Sequence, residues 1–296
     1  MSREKLIEIL QSYHITMEQK RKDIELLLEC SNMKDRKMAQ KKISERTSQL
    51  IEKTGWGFDL TDVNLKSISL SGFDLRKSIF EDTILSRADL SNCDLRGSLF
   101  NPGSYHRVNF TGSKLSCSIL HSVVFHVCDF SDCKLNKLID ATYCVFHGCN
   151  MIESTWKASN LVSAVFQQCD LSRSNFKNAC LTDSSFDSSN LQESTLKRIK
   201  AGGVKLCNCV LKNCDFRWAY LYNATIEGNA KNIMDLSGSN FTDAVLTRAK
   251  LFGNLKKSIF NSTLLINSRL DLCNFIDTQF KGAIISERTT TRKIEI

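Results

Sequence analysis

Proline is almost absent from this sequence: Pro102 is the only one in 296 residues. Hydrophobic residues make up 42% and charged residues 24%, the balance of a folded chain, which excludes a disordered one. No apolar run approaches the roughly 20 residues that span a bilayer, so no transmembrane helix is expected. The start, MSREKLIEIL, lacks a basic lead, a long apolar core and a small-residue cleavage site, so no secretory signal is expected. Despite 13 cysteines there is no C-x-x-C pair, which removes the commonest zinc and thiol-redox spacings. Also missing are a phosphate loop, G-x-S-x-G, H-E-x-x-H and an EF-hand pattern. Gly202-Gly203 is a lone glycine pair. The sequence therefore points away from an enzyme, and no cofactor or metal is expected.

What is present is a repeat. A large apolar residue recurs every fifth position in Leu60, Leu65, Leu70, Leu75, Phe80, Leu85, Leu90, Leu95 and Phe100. The series resumes after Tyr105 from Phe110 to Leu135, gains one residue, and runs from Phe146 to Leu196. Past a break at Ala201 it runs from Leu206 to Ile226, and past a break at Lys231 from Leu236 to Leu251. One residue is then lost, and the series ends with Leu255 to Ile285. Two positions before each sits a mostly small residue, as in Ala88-Asp89-Leu90 and Cys93-Asp94-Leu95.

A period of five fits neither a helix nor a simple strand. It fits a chain that turns a corner every five residues, so that four sides close a square coil of about 20 residues. Strand alternation points the large residue and the small one two before it inward, and the other three outward. At this point the sequence resembles the pentapeptide-repeat family, whose motif is A(D/N)LXX. The resemblance covers about residues 58–285. It implies a mainly β chain, a right-handed quadrilateral β-helix, with an interior filled by side chains and no substrate cavity. About function it is nearly silent.

Nine cysteines fall at the small inward position: Cys93, Cys128, Cys133, Cys144, Cys149, Cys169, Cys209, Cys214 and Cys273. Packing as small hydrophobes is the leading reading, with a metal site or disulfides as alternatives. So many free thiols point to a reducing, cytoplasmic compartment.

Residues 1–54 lack the repeat. Leu6, Leu10, Tyr13, Met17, Ile24 and Leu27 make a heptad-like stripe on one expected helix, and a second basic helix is expected from Met33 to Lys53 with Met38, Ile43, Leu50 and Ile51 as its apolar residues. The pair reads as a cap over the solenoid's open end, or as a coiled-coil or partner-docking element. The solenoid is assigned to 55–288 and a tail to 289–296, with candidate loops at 101–107, 136–143, 200–205 and 228–235.

Positions 20 apart should stack on one face. One outward column then reads Arg76, Arg96, Ser116, Asn136, Lys157, Lys177, Lys197, Arg217, Ser237 and Lys256, and Lys114 and Lys134 lie beside it. Such a basic strip meets anions: an acidic protein, lipid headgroups or nucleic-acid phosphates. The plainer alternative is a solvated face partly paired through Asp74/Arg76, Asp94/Arg96 and Asp215/Arg217. Trp218, Tyr220 and Tyr222 point outward around one corner beside Arg217, as in an interface hot spot. His106, His126 and His147 stack in another column. A flat ladder offers poor tetrahedral geometry and no fourth ligand, so no metal is assigned there.

Within the resembled family, one class mimics DNA and acts on gyrase, and another comprises bacterial effectors that join a non-repeat N-terminus to a repeat domain. The basic strip and helical N-terminus here fit the second plan better. The expected role is a non-enzymatic interaction or scaffold module, presenting its basic face to a host protein or anionic membrane. The alternative is a nucleic-acid-associated protein acting on gyrase. A homodimer through the N-terminal helices or the C-terminal end is a further expectation.

Overall fold

A computed structural model of the chain describes residues 17–100, 103–228, 233–286 and 289–290. Two helices, α1 (Met17–Asn32) and α2 (Arg36–Thr54), precede a solenoid. Asp35 caps α2 by accepting a hydrogen bond from the Met38 amide at 3.0 Å. Gly55 ends it in the left-handed region (φ 83°), where only a residue without Cβ sits freely. The second helix thus starts three residues later than expected, because the Asp35 side chain supplies its first turn with an acceptor.

The solenoid is the four-sided β-helix that the period of five predicts. Its regular strands are short. Eight of them, from β1 (Ser104–His106) to β8 (Lys250–Phe252), form a parallel sheet in sequential order. β9 (Leu264–Leu265) and β10 (Ile284–Ile285) pair beyond it. The other walls are held by single parallel bridges, such as Asp89↔Asn109 and Lys114↔Lys134. The residue two past each central one turns the corner with positive φ, as at Asp62, Lys77, Arg107 and Trp218.

The central residues fill the bore. Phe125, Phe146, Phe166 and Phe186 stack at 5.1, 4.9 and 4.6 Å between successive ring centroids. Rings on adjoining walls meet edge to face, as Phe110 and Phe125 do at 6.1 Å and 84°. All nine inward cysteines are buried and free. Each of these thiols also donates to a backbone carbonyl, as Cys133 Sγ does to Phe110 O at 2.8 Å. Inward serines do the same, as Ser113 Oγ does to Leu90 O at 2.6 Å.

The helical pair lies on the first coil. Leu27, Cys30, Ala39, Ile43 and Leu50 join one apolar cluster with Phe58, Phe73 and the solenoid core. Arg36 donates to Ser71 O at 3.0 Å, and Lys20 pairs with Asp59 at 3.3 Å. Arg46 reaches across to Asp23, which is buried, at 2.7 Å. Leu6, Leu10 and Tyr13 lie outside the described residues. Met17 and Met38, expected on apolar stripes, are exposed, and Ala39 is buried instead.

Most expected loops are absent. Tyr105 takes a central position, buried, with its hydroxyl donating to Phe80 O at 2.8 Å, so 103–107 is regular wall. Ala201 is likewise a small central residue. Near 136–143 one residue is added: Leu138 turns inward, Ile139 stays exposed, and Lys134 pairs with Thr155. Between Glu227 and Met234 a whole extra side is inserted, so Val210 pairs with Asp235 and Asp215 with Asn240. Residues 229–232 of that insertion lie outside the described ones. The lost residue sits at Gly253, where a Cβ would stand 2.6 Å from Met234 O and Leu236 Cδ1. Thr290, expected in the tail, still pairs with Arg269, so the wall continues past 289. Ile285, expected inside, is exposed, because no described coil covers the last one.

Candidate functional site

Four walls follow one another around the coil: a tyrosine wall (centred on Leu161, Leu181 and Leu221), a strand wall (Phe146, Phe166), an Asx wall (Met151, Leu171) and a basic wall (Trp156, Phe176). On the basic wall the columns form as far as Arg217. The pairings Asp94↔Lys114, Lys114↔Lys134 and Lys134↔Thr155 put Lys114 and Lys134 beside the column of Arg76, Arg96, Lys157, Lys177, Lys197 and Arg217.

Lys256 does not belong there. The inserted side rotates every later column by one wall, so Asp235 pairs with Val210 and Asn254 with Asp235 on the Asx wall. Lys256 and Ser237 follow them, and Thr242 stands past Arg217 instead.

The ends of the basic column are internally paired. Arg76, Arg96 and Arg217 each fork onto the Asp two residues before, with Nε and Nη2 on separate carboxylate oxygens. Those bonds raise the pKa of each arginine. For Asp94 and Asp215, burial opposes ionisation, but the arginine bonds and charge win and hold each carboxyl below its usual range. The uncompensated charge therefore concentrates mid-wall on Lys114, Lys134, Lys157 and Lys177, which make no ion pair among the described residues.

The aromatic corner adjoins the lower end of this lysine stretch. Trp218 occupies a left-handed corner (φ 57°), which turns its indole outward, 41% exposed. Lys197 Nζ lies 4.4 Å from its ring centroid, and the Arg198 and Arg217 guanidiniums at 5.1 and 5.8 Å. Around the corner Tyr220 and Tyr222 stack at 6.2 Å, and Arg248 donates to the Tyr222 hydroxyl at 2.8 Å. The Tyr220 ring lies beside Gly202, one coil earlier, 3.5 Å from where a Cβ would stand, the distance of an ordinary van der Waals contact.

One element of the surface escaped the sequence reading. The outward column of the tyrosine wall continues from Tyr220 through Val245 and Leu264 to Ile284, an apolar ladder running to the C-terminal end. Its members lie on both sides of the inserted side, so a 20-residue ruler does not align them.

The histidine column forms as expected: His106 pairs with His126, and His126 with His147. Among the described residues no group of three or more His, Cys, Asp or Glu is placed to hold a metal ion. No helix among them is long and apolar enough to cross a membrane.

Two family models match the chain. One described as a pentapeptide repeat region covers residues 118–196, and one described as pentapeptide repeats (8 copies) covers 59–97 and 189–228, together about half of the chain. Comparison with curated proteins gives no match. Among solved structures, a trypsin-treated variant of QnrB1, a plasmid-mediated fluoroquinolone resistance protein, is 18% identical over 64% of this chain and 90% of that one, with a TM-score of 0.40. HetL, a pentapeptide repeat protein involved in heterocyst differentiation regulation from the cyanobacterium Nostoc sp. strain PCC 7120, is 18% identical over 83% and 92%, with a TM-score of 0.26. A pentapeptide repeat protein of the Arabidopsis thaliana thylakoid lumen is 16% identical over 54% and 68%, at 0.10. The five-residue period, the square coil built on it and the two family models agree: this chain belongs to the pentapeptide-repeat proteins.

Proposed function

We propose that the chain is a non-enzymatic interaction module whose basic wall and aromatic corner dock an acidic surface of a protein partner. The observation that carries this reading is Trp218, exposed among Lys197, Arg198 and Arg217 where the lysine wall meets the apolar ladder. A tryptophan with cations around it and apolar surface beside it supplies both the desolvated anchor and the charged rim of an interface. Stacked walls give a rigid frame, so docking costs little conformational entropy. Delivery into a host cell and docking on an anionic membrane are finer versions of this reading, supported by the lysine stretch alone.

The DNA-mimic alternative draws less support. The Asx wall alternates Asp89, Asn109, Asp129, Asn150, Asp170 and Asn190, and the Asn amides donate to the Asp carboxylates, as Asn109 does to Asp89 at 3.1 Å. Carboxylates on alternate coils stand about 9.6 Å apart, far sparser than one charge per roughly 3.4 Å of a DNA strand.

Affinity capture with the full chain, with Trp218→Ala and with Lys157→Glu/Lys177→Glu/Lys197→Glu tests the reading. A partner retained by the full chain and lost from both variants supports it; one set retained by all three removes it. Flotation with anionic vesicles and a gyrase supercoiling assay on the same variants test the membrane and nucleic-acid versions.

A further inference from the structure

The strand wall, opposite the basic wall, carries two outward columns at its N-terminal end. One reads Ser86, His106, His126 and His147. The other, at the corner, reads Arg87, Arg107 and Val127; the Arg87 amide donates to His106 O and the Arg107 amide to His126 O, both at 2.9 Å. Between them is a cleft lined by Ser86, Arg87, His106, Arg107, His126 and Val127.

These two arginines differ from the rest. Every other described arginine is engaged by a carboxylate, a carbonyl or an aromatic ring, as Arg173 is by Glu153 at 2.8 Å and Arg36 by Ser71 O at 3.0 Å. Neither Arg87 nor Arg107 has an ion pair or side-chain hydrogen bond among the described residues. They stand on successive coils, about 4.8 Å apart in backbone spacing, so like charges face one cleft without a counter-charge.

The imidazoles are similarly unfinished. His106 and His126 stack at 4.6 Å and 10°. Ser104 Oγ holds His106 Nε2 at 3.2 Å, and Gln167 Oε1 holds His147 Nδ1 at 3.2 Å. Neither ring nitrogen of His126 has a partner among the described residues. Burial, then repulsion from His106 and His147, pushes the His126 pKa below its ordinary value.

We propose that this cleft binds one tetrahedral oxyanion of the phosphate class, gripped by the Arg87 and Arg107 guanidiniums with His126 donating from the side. Planar guanidiniums match the oxygens of such an ion with paired N–H donors, which an ammonium cannot do. The ion would remove the arginine repulsion and give His126 its missing acceptor. A cleft three coils tall spans about 9.6 Å, room for a phosphoryl group. The site does not depend on the basic wall, so the two readings fail separately.

The test uses the full chain and sulfate, which stays a dianion across the histidine range. Histidine ring carbon–proton spectra are followed near pH 6.5 as sulfate is added at constant ionic strength. Saturable shifts of His106 and His126, with His121 on the tyrosine wall unmoved, are expected. Bound anion stabilises the imidazolium, so sulfate should raise the titration midpoint of His126. Arg87→Gln and Arg107→Gln should each weaken binding tenfold or more, and Lys157→Glu on the opposite wall should leave it unchanged. Displacement of sulfate by O-phosphoserine supports a protein-borne phosphoryl source, and by an inositol phosphate a lipid headgroup source. Shifts that grow linearly, that appear equally at His121, or that survive in both arginine variants overturn the site.

Discussion

The corner residues carry the strain of this fold. Nearly every side ends on a residue with φ between 50° and 63°, and most are not glycine. An ordinary L-residue pays about 1–2 kcal/mol to sit there, and Asn, Asp and Gly much less. Val127 is the worst placed, β-branched at φ 54° and 56% exposed, so little packing at its side chain compensates. Val127→Asn should stabilise the chain by about 1 kcal/mol, measured by urea unfolding. The inward small residue is equally specific. Its hydroxyl or thiol caps the carbonyl of a central residue one coil earlier, so Cys133→Ser should cost less than about 1 kcal/mol, whereas Cys133→Leu should overpack and cost about 1–3 kcal/mol or more. Smallness at this position was legible in the sequence. The hydrogen-bonding reason for Ser and Cys there was not, because it joins residues 23 apart that meet only when coils stack.

At the scale of elements, the two helices are tied to each other by one exacting contact. Asp23 is 5% exposed, and Arg46 places Nε and Nη2 on its two oxygens at 2.7 and 3.1 Å. Arg46→Met leaves that carboxylate buried without its counter-charge, with the Gln19 amide still donating to it at 3.3 Å, so the helical pair should lose about 3 kcal/mol. Hydrogen exchange should show α1 and α2 opening before the coils. If their amides stayed as protected as in the wild type, the ion pair would not hold the two helices together. The helices could be read from their apolar spacing, but the faces beyond Glu227 could not. A five-residue insertion preserves the repeat phase perfectly while rotating every later column by one wall, so sequence periodicity is blind to it. Lys256 is the clear casualty, and it offers a control: Lys256→Glu should leave partner binding at the basic wall unaltered, whereas Lys177→Glu should slow association several-fold at low salt, with the difference shrinking as salt is added.

Over the whole molecule, each coil touches only its neighbours, so stability is close to a sum of coil and interface terms. That makes the position of a lesion as important as its size. Phe166 sits mid-stack, with Phe146 at 4.9 Å, Phe186 at 4.6 Å and the Trp156 ring edge-on at 5.9 Å. Phe166→Ala should remove about 3–5 kcal/mol, and it removes it from both interfaces of one coil. The coils on either side then lose their coupling, and the array should melt as two blocks. Hydrogen exchange under mild denaturant would separate them: amides from Leu60 to Leu135 and from Leu196 to Leu251 should open with different free energies in the variant and together in the wild type. Phe275→Ala, at a half-buried position in the last coil, should lower protection only near its own end. A uniform loss along the chain from either variant would mean that the solenoid unfolds as one cooperative unit, and that its walls transmit load over many more coils than nearest-neighbour packing allows.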